Sequence, residues 1–372
     1  MPDEVVGMAE SKTRSGRVPG IKTQHHRRTH PRARLLLSLG CCLSMFSLRS
    51  RVDSGLTRRR LLIADILSGY EREVLPLAAD WEGSAEATLV RYADGNDRDR
   101  AVLYLHGYND YFFCSEMGGR FAAAGWGFYG LDMRKHGRSL RPHQTPCLVR
   151  KLSDYYEEIA EAVARIRARD GVRFVLLAGH STGGLIAPLY ARDCGGVDAL
   201  FLNSPFLGFR VGRRDELMLR TVVRMLGRVR PTAVVPREAD PRYAWSLHRS
   251  YEKGGEWSYD ERWKRPGDLP LHAGFIRAVS RGHDRVRAGL RLNHPVLVGV
   301  SARAGGFGQG FDESWGSTDT VLDPQQSFVR SRRIGPRVDR FQVEGALHDL
   351  MLSSDQVRAE AWQQLISWMS AL

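Results

Sequence analysis

Short apolar runs alternate with longer amphipathic segments over most of this 372-residue chain. Glu71 to Leu77 and Glu86 to Tyr92 alternate apolar and polar positions, the period of half-buried strands. Ala101 to Leu105 and Gly127 to Asp132 are nearly continuous apolar runs, as expected of strands buried on both faces. Arg173 to Ala178, Val197 to Leu202, Pro295 to Val300 and Arg340 to Val343 are further strands. Between them, Ser115 to Ala124 suits a helix, and Leu152 to Arg169 has helical spacing at Tyr155, Ile159, Val163 and Ile166. Ser354 to Leu372 predicts a closing amphipathic helix with Val357, Ala361, Leu365 and Trp368 on one face. Strands alternating with helices predict an α/β fold, a mostly parallel central sheet covered by helices on both faces.

The alternation fails between about Phe206 and Asn293, a stretch rich in Arg, Trp and Tyr. It follows a strand, at the end of the sheet where such folds bind ligands, so an insertion over about 206–290 is expected to be a helical lid. Trp245, Trp257 and Trp263 are candidate walls of an apolar substrate pocket. The equal alternative is that they knit the lid's own core.

The net charge of +13 changes the picture only once it is located. Residues 1–60 hold 13 Lys or Arg against 4 Asp or Glu, which leaves the remainder nearly balanced at +4. A nucleic-acid partner is therefore not expected. Residues 1–55 read as a disordered basic tail or leader, and 56–372 as the folded domain. Leu35 to Leu48 is apolar and flanked by Arg34 and Arg49, too short for a comfortable transmembrane helix and followed by no small-residue cleavage site. A cytoplasmic protein with a non-structural tail is the favoured reading, and a start assigned too far upstream is another. Export, or weak contact with a membrane surface through residues 1–50, is the alternative. The five cysteines (Cys41, Cys42, Cys114, Cys147, Cys194) form no C-x-x-C pair, so neither a disulfide framework nor a zinc site is suggested.

The chemistry is concentrated in Gly179-His180-Ser181-Thr182-Gly183, a G-x-S-x-G pattern. An apolar strand runs into it and a small-residue helix runs out of it. A strand–turn–helix junction with serine at its tip is a nucleophile elbow. A serine hydroxyl needs a base within reach, and the base needs an orienting carboxylate. After an elbow of this kind the chain order is Ser, then acid, then His. His348 follows the last strand and is the candidate base, whereas His272, His283 and His294 lie in the insertion or at a strand's entry. Asp319 is the first choice of acid, with Asp323 and Asp312 as alternatives. An oxyanion hole needs two backbone N–H groups, expected from Thr182 and from Tyr108 in the loop after His106-Gly107. His106 and Asp132 are expected to brace loops. Gly305 to Gly310 lacks the Lys-Ser/Thr of a nucleotide loop and reads as a connector.

Four blocks carry a resemblance: Leu105-His106-Gly107 with Tyr108-Asn109-Asp110; Leu131-Asp132-Met133-Arg134-Lys135-His136-Gly137-Arg138-Ser139; Gly179 to Gly184; and Asp319 to Pro324 with Gly345 to His348. The chain resembles the α/β-hydrolase superfamily, in the branch of monoacylglycerol lipases, lysophospholipases and serine-aminopeptidase-like hydrolases. The resemblance implies a triad of Ser181, Asp319 and His348, oxyanion donors at Tyr108 and Thr182, a lid shaping an acyl pocket, and no metal or organic cofactor. It implies a serine esterase acting on a monoacylglycerol, a lysophospholipid or a small lipophilic ester. A peptidase with an acidic pocket from Glu252, Glu256, Asp260 and Glu261 is an alternative, as is an inactive binding protein on the same scaffold. Two departures stand out. Lys135 occupies a position usually held by Gly, and the connection from strand to acid, Ser301 to Thr318, is long.

Overall fold

The computed structural model describes residues 62–94, 98–236, 240–251, 254–267, 269–306 and 313–372. The basic tail, its apolar stretch, Glu252 and Asp312 lie outside them. Nine strands form one sheet among the described residues: β1 (Ile63–Ala64), β2 (Tyr70–Asp80), β3 (Gly83–Tyr92), β4 (Arg100–Leu105), β5 (Gly127–Asp132), β6 (Phe174–His180), β7 (Ala199–Asn203), β8 (Val296–Ser301) and β9 (Val338–Val343). Their spatial order is β1-β2-β3-β5-β4-β6-β7-β8-β9. The first three pair antiparallel, and from β5 to β9 every pairing is parallel.

Both faces are covered, as uninterrupted apolar strands require. Ala101, Leu103 and Leu105 of β4 pack on one side with Ile159 and Ile166 of α2 (Tyr156–Asp170), Leu185 and Leu189 of α3 (Thr182–Asp193) and Val279 of a later helix (Ala273–Ala288). Val102 and Tyr104 point to the other side, against Met117 and Phe121 of α1 (Glu116–Ala123) and the C-terminal helix (Asp355–Met369). That last helix is rotated from the expected face. Its buried residues are Arg358, Ala361, Trp362, Leu365 and Met369, whereas Val357 and Trp368 are only partly buried. Arg358 can be buried because Glu256, Glu116 and Asp355 neutralise it.

Between β7 and β8 the chain leaves the sheet, as the break in patterning predicts. A helical stretch runs through α4 (Arg213–Met218), a π-turn (Leu219–Val223) and α5 (Arg224–Val229), followed by α6 (Arg242–Leu247) and the long α7 (Ala273–Ala288). The π-turn has a packing consequence, because it slows the angular advance of the helix. Val223 and Gly227 face α7, and a side chain at Gly227 would run into the Ala273 carbonyl. Leu217, Met218, Val222, Met225 and Val229 are all left exposed, four of them above 60%. Among the described residues no helix is long and apolar enough to cross a membrane.

Candidate active site

Parallel strands β4, β5, β6 and β7 end at Leu105, Asp132, His180 and Asn203, so His106, Asp132, Ser181 and Ser204 gather at one edge of the sheet. Ser181 has φ 51° and ψ −112°, a conformation that costs a non-glycine residue about 1–3 kcal/mol. The surroundings hold it there. Its N–H donates to Asn203 O at 3.0 Å, and its carbonyl accepts from Phe206 N at 2.9 Å. The glycines on either side are needed for close approach. A Cβ at Gly183 would sit 2.5 Å from Leu105 O, and one at Gly179 would strike Gly183 O. Thr182 follows as the first residue of α3, so its N–H lies at a helix start, where donors are unpaired by the helix itself.

His348 lies on the loop after β9 and is 2% exposed. Its Nδ1 is 2.9 Å from Asp319 Oδ2. The other Asp319 oxygen accepts from the N–H groups of Val321 and Leu322 at 2.8 and 2.7 Å, which fixes the carboxylate. His348 Nε2 is buried and has no hydrogen-bond partner among the described residues, so the atom opposite Asp319 is open to a proton. The His348 ring packs on His180, the residue before the elbow serine, with centroids 4.9 Å apart. Asp323, by contrast, caps α8 (Pro324–Arg330) by accepting from Gln326 N.

The long connection before Asp319 has a simple geometry. Asp319 N donates to Arg303 O at 2.9 Å, and Gly305 N donates to Asp319 O at 2.8 Å. These bonds form a short parallel bridge between Ala304 and Asp319. The chain after β8 therefore makes an excursion whose ends pair, and Asp319 returns to the edge of the sheet as if the connection were short. Lys135 is explained in a similar way. It has φ 65°, the left-handed region that favours glycine, yet its buried ammonium reaches Asp80 at 2.7 Å and also pairs with Glu82. The β2–β3 turn supplies those carboxylates.

His106 and Asp132 act as braces. His106 Nε2 accepts from Met133 N at 3.1 Å, so its Nδ1 must carry the proton donated to Gly107 O at 2.8 Å. Asp132 accepts from Phe112 N and Arg138 N at 2.8 and 3.0 Å. His136 packs on His106 at 4.7 Å. Burial, with His106 beside it, pushes the His136 pKa down to about 3. Burial also pushes His283 down to about 3, where it bonds to Phe206 O. A histidine depressed in the folded state leaves the unfolded chain to bind the proton first as pH falls below 6.5. Stability is thus intact above pH 6.5 and is expected to drop on acidification toward pH 3, by about 1.4 kcal/mol per pH unit for each histidine. Urea unfolding of His283→Gln should show a shallower loss between pH 6.5 and 5 than the parent; parallel curves would refute this.

The three tryptophans divide. Trp257 is 9% exposed, packs in the core, and donates from Nε1 to Leu352 O at 2.7 Å. Trp245 is 38% exposed and stacks on Trp315, and Trp263 meets Tyr111 edge-on. The acidic residues of the insertion are engaged: Glu256 with Arg358, Asp260 with Arg262, and Glu261 with the Tyr251 hydroxyl.

A model of the serine aminopeptidase S33 family matches residues 96–288, more than half of the chain. The chain belongs to this family of α/β-hydrolases. The monoacylglycerol lipase of Mycolicibacterium smegmatis is 31% identical over 204 residues, 53% of this chain and 67% of that protein. Among solved structures, a soluble variant of monoglyceride lipase from Saccharomyces cerevisiae superposes with a TM-score of 0.56 at 15% identity, covering 81% of this chain and 96% of that one. A thermostable carboxyl esterase from Bacillus coagulans gives 0.55 at 15% identity, with 81% and 98% covered. These structural likenesses concern the fold. They agree with the parallel sheet and its two helical layers.

Sequence reasoning missed a buried polar cluster beside the elbow. Asp110 and Asp349 each place an oxygen 3.6 Å from His180 Nδ1. Lys264, from the insertion, reaches Asp110 at 2.7 Å inside a cage of Phe113, Tyr243 and Tyr259 rings. Lys264 and His180 hold the Asp110 carboxyl well below its usual range against the opposing effect of burial. Asn203 donates to Asp349 at 2.6 Å. The only sequence signal was the polarity of Asp110 and Asp349 next to expected site residues.

Proposed function

We propose that this S33-family hydrolase is a serine carboxylester hydrolase of lipophilic esters. The observation that carries the reading is the buried Asp319–His348 pair, whose Nε2 has no hydrogen-bond partner among the described residues and whose ring packs on His180, the neighbour of the strained Ser181. In this reading Ser181 Oγ attacks the ester carbonyl while His348 Nε2 takes its proton. Asp319 keeps the other proton on Nδ1 and stabilises the imidazolium. The N–H groups of Thr182 and Tyr108 receive the developing oxyanion. His348 then protonates the leaving alcohol, and water reverses the sequence to release the acid.

Two features favour a lipophilic substrate. Ser181 is only 7% exposed, and in this reading the insertion acts as a lid that admits the substrate to an enclosed site. The exposed row of Leu217, Val222 and Met225 suits contact with a lipid phase. The peptidase reading needs free carboxylates for a substrate amine, and Glu256, Asp260 and Glu261 are each engaged.

The test is turnover of p-nitrophenyl esters from acetate to palmitate. Activity is expected to rise with chain length. The combined Leu217→Ser, Val222→Ser and Met225→Ser variant should lower turnover of vesicle-borne palmitoyl ester several-fold and spare the acetate. No turnover of any ester would sink the reading.

A further inference from the structure

Four consecutive side chains after Gly107 are each tied to one short segment of the insertion. The Tyr108 hydroxyl donates to Pro270 O at 3.2 Å. Asn109 makes two bonds to the Arg265 backbone: its Nδ2 donates to Arg265 O at 2.6 Å, and its Oδ1 accepts from Arg265 N at 3.0 Å. Asp110 takes the Lys264 ammonium at 2.7 Å. The Tyr111 hydroxyl accepts from Asp260 N at 2.7 Å.

Asn109 has φ 52°, a conformation sparsely populated by residues other than glycine. The amide that satisfies both backbone groups of Arg265 fixes that conformation. Gly107 sits against the elbow, where a Cβ would stand 3.2 Å from Ser181 Cβ. The Tyr108 N–H, an oxyanion donor in the reading above, lies between that contact and the Asn109 clamp.

We propose that Asp260, Lys264, Arg265 and Pro270 of the insertion are part of the catalytic framework rather than a cover, and that Asn109 and Lys264 are positioning residues that aim the Tyr108 N–H at the oxyanion. The inference rests on the ester-hydrolase reading. A donor displaced by a fraction of an ångström loses most of its effect on the transition state while leaving substrate binding intact. The clamp should therefore appear in kcat and not in KM.

The test uses the full chain with two variants. Asn109→Gly removes the amide and tolerates the positive φ. The double variant Lys264→Met with Asp110→Asn removes both charges, so that neither is left buried alone. Rates are counted per Ser181 titrated to completion with a fluorophosphonate. Both variants should lose about tenfold to a hundredfold in kcat, with KM within about threefold. The inhibition constant of an alkyl trifluoromethyl ketone, which forms a tetrahedral oxyanion on serine, should rise by the same factor as kcat falls. A merely structural clamp would lower Tm and the number of titratable sites but leave both ratios unchanged. Unchanged kcat per site, a loss carried by KM, or variants with no titratable protein would each overturn the proposal. A parent protein that turns over no ester would overturn the hydrolase reading and this inference with it, whereas an active parent with unaltered variants overturns this inference alone.

Discussion

Ser181→Ala is expected to lower kcat for any ester by about five to six orders of magnitude, with Tm changed little. The size follows from the mechanism proposed above. Without Oγ there is no acyl-enzyme, and His348 has no proton to accept. What remains is binding and the two oxyanion donors acting on water, which amounts to little. The alanine should also relieve nothing in the backbone, since the φ of 51° is imposed by Gly179, Gly183 and the bond from Ser181 N to Asn203 O. The check is steady-state turnover of a p-nitrophenyl ester beside a thermal melt. More than about one part in a thousand of the parent rate would mean that another group performs the attack.

Asp319→Asn is expected to cost about three to four orders of magnitude in kcat while the fold persists. Asparagine keeps the oxygen that accepts from Val321 N and Leu322 N. Its amide would present a donor to His348 Nδ1, which turns the ring to the tautomer protonated on Nε2. That tautomer cannot take the serine proton. Asp323→Asn is the informative partner. Asp323 lies four residues further on and caps α8, so its replacement should cost at most about 1 kcal/mol of stability and leave kcat alone. Equal losses in the two variants, measured as kcat on one ester, would contradict the role given to Asp319.

The central strands β4 to β8 were legible because each is buried on both faces and therefore apolar almost throughout. The expected runs at 101–105 and 127–132 fall within β4 and on β5. The elbow was legible because the close approach of β6 and α3 permits only glycine at 179 and 183. The face of the C-terminal helix was not, since counting apolar positions passes over Arg358, whose burial depends on three distant or neighbouring carboxylates. The return of Asp319 to the sheet edge was hidden for a related reason. It depends on backbone pairing with Arg303 and Gly305 across the excursion, and backbone pairing leaves no mark on side-chain pattern. Least legible was the clamp on the 108–111 loop. Asn109 and Arg265 are 156 positions apart, and an Asn after a His-Gly turn reads as ordinary loop chemistry. A sequence shows which residues want to be buried; it does not show which polar groups meet when they are.

The clamp also refines the picture of the insertion. Trp257 bonds to Leu352 O near the His348 loop, and Asp260 and Lys264 bond to the loop beside the elbow. The helical stretch 213–229 packs chiefly on α7 and exposes its apolar side. In the lid reading proposed above, the 213–229 stretch shifts while 257–267 stays.

The central claim is that Ser181 is the nucleophile, and covalent labelling tests it most directly. The full chain is treated with an alkyl fluorophosphonate, weighed intact, then digested and mapped. The account predicts one adduct per chain, on the peptide containing Ser181, absent in Ser181→Ala and strongly slowed in His348→Ala. An adduct on any other residue, or none on a folded chain, would contradict it.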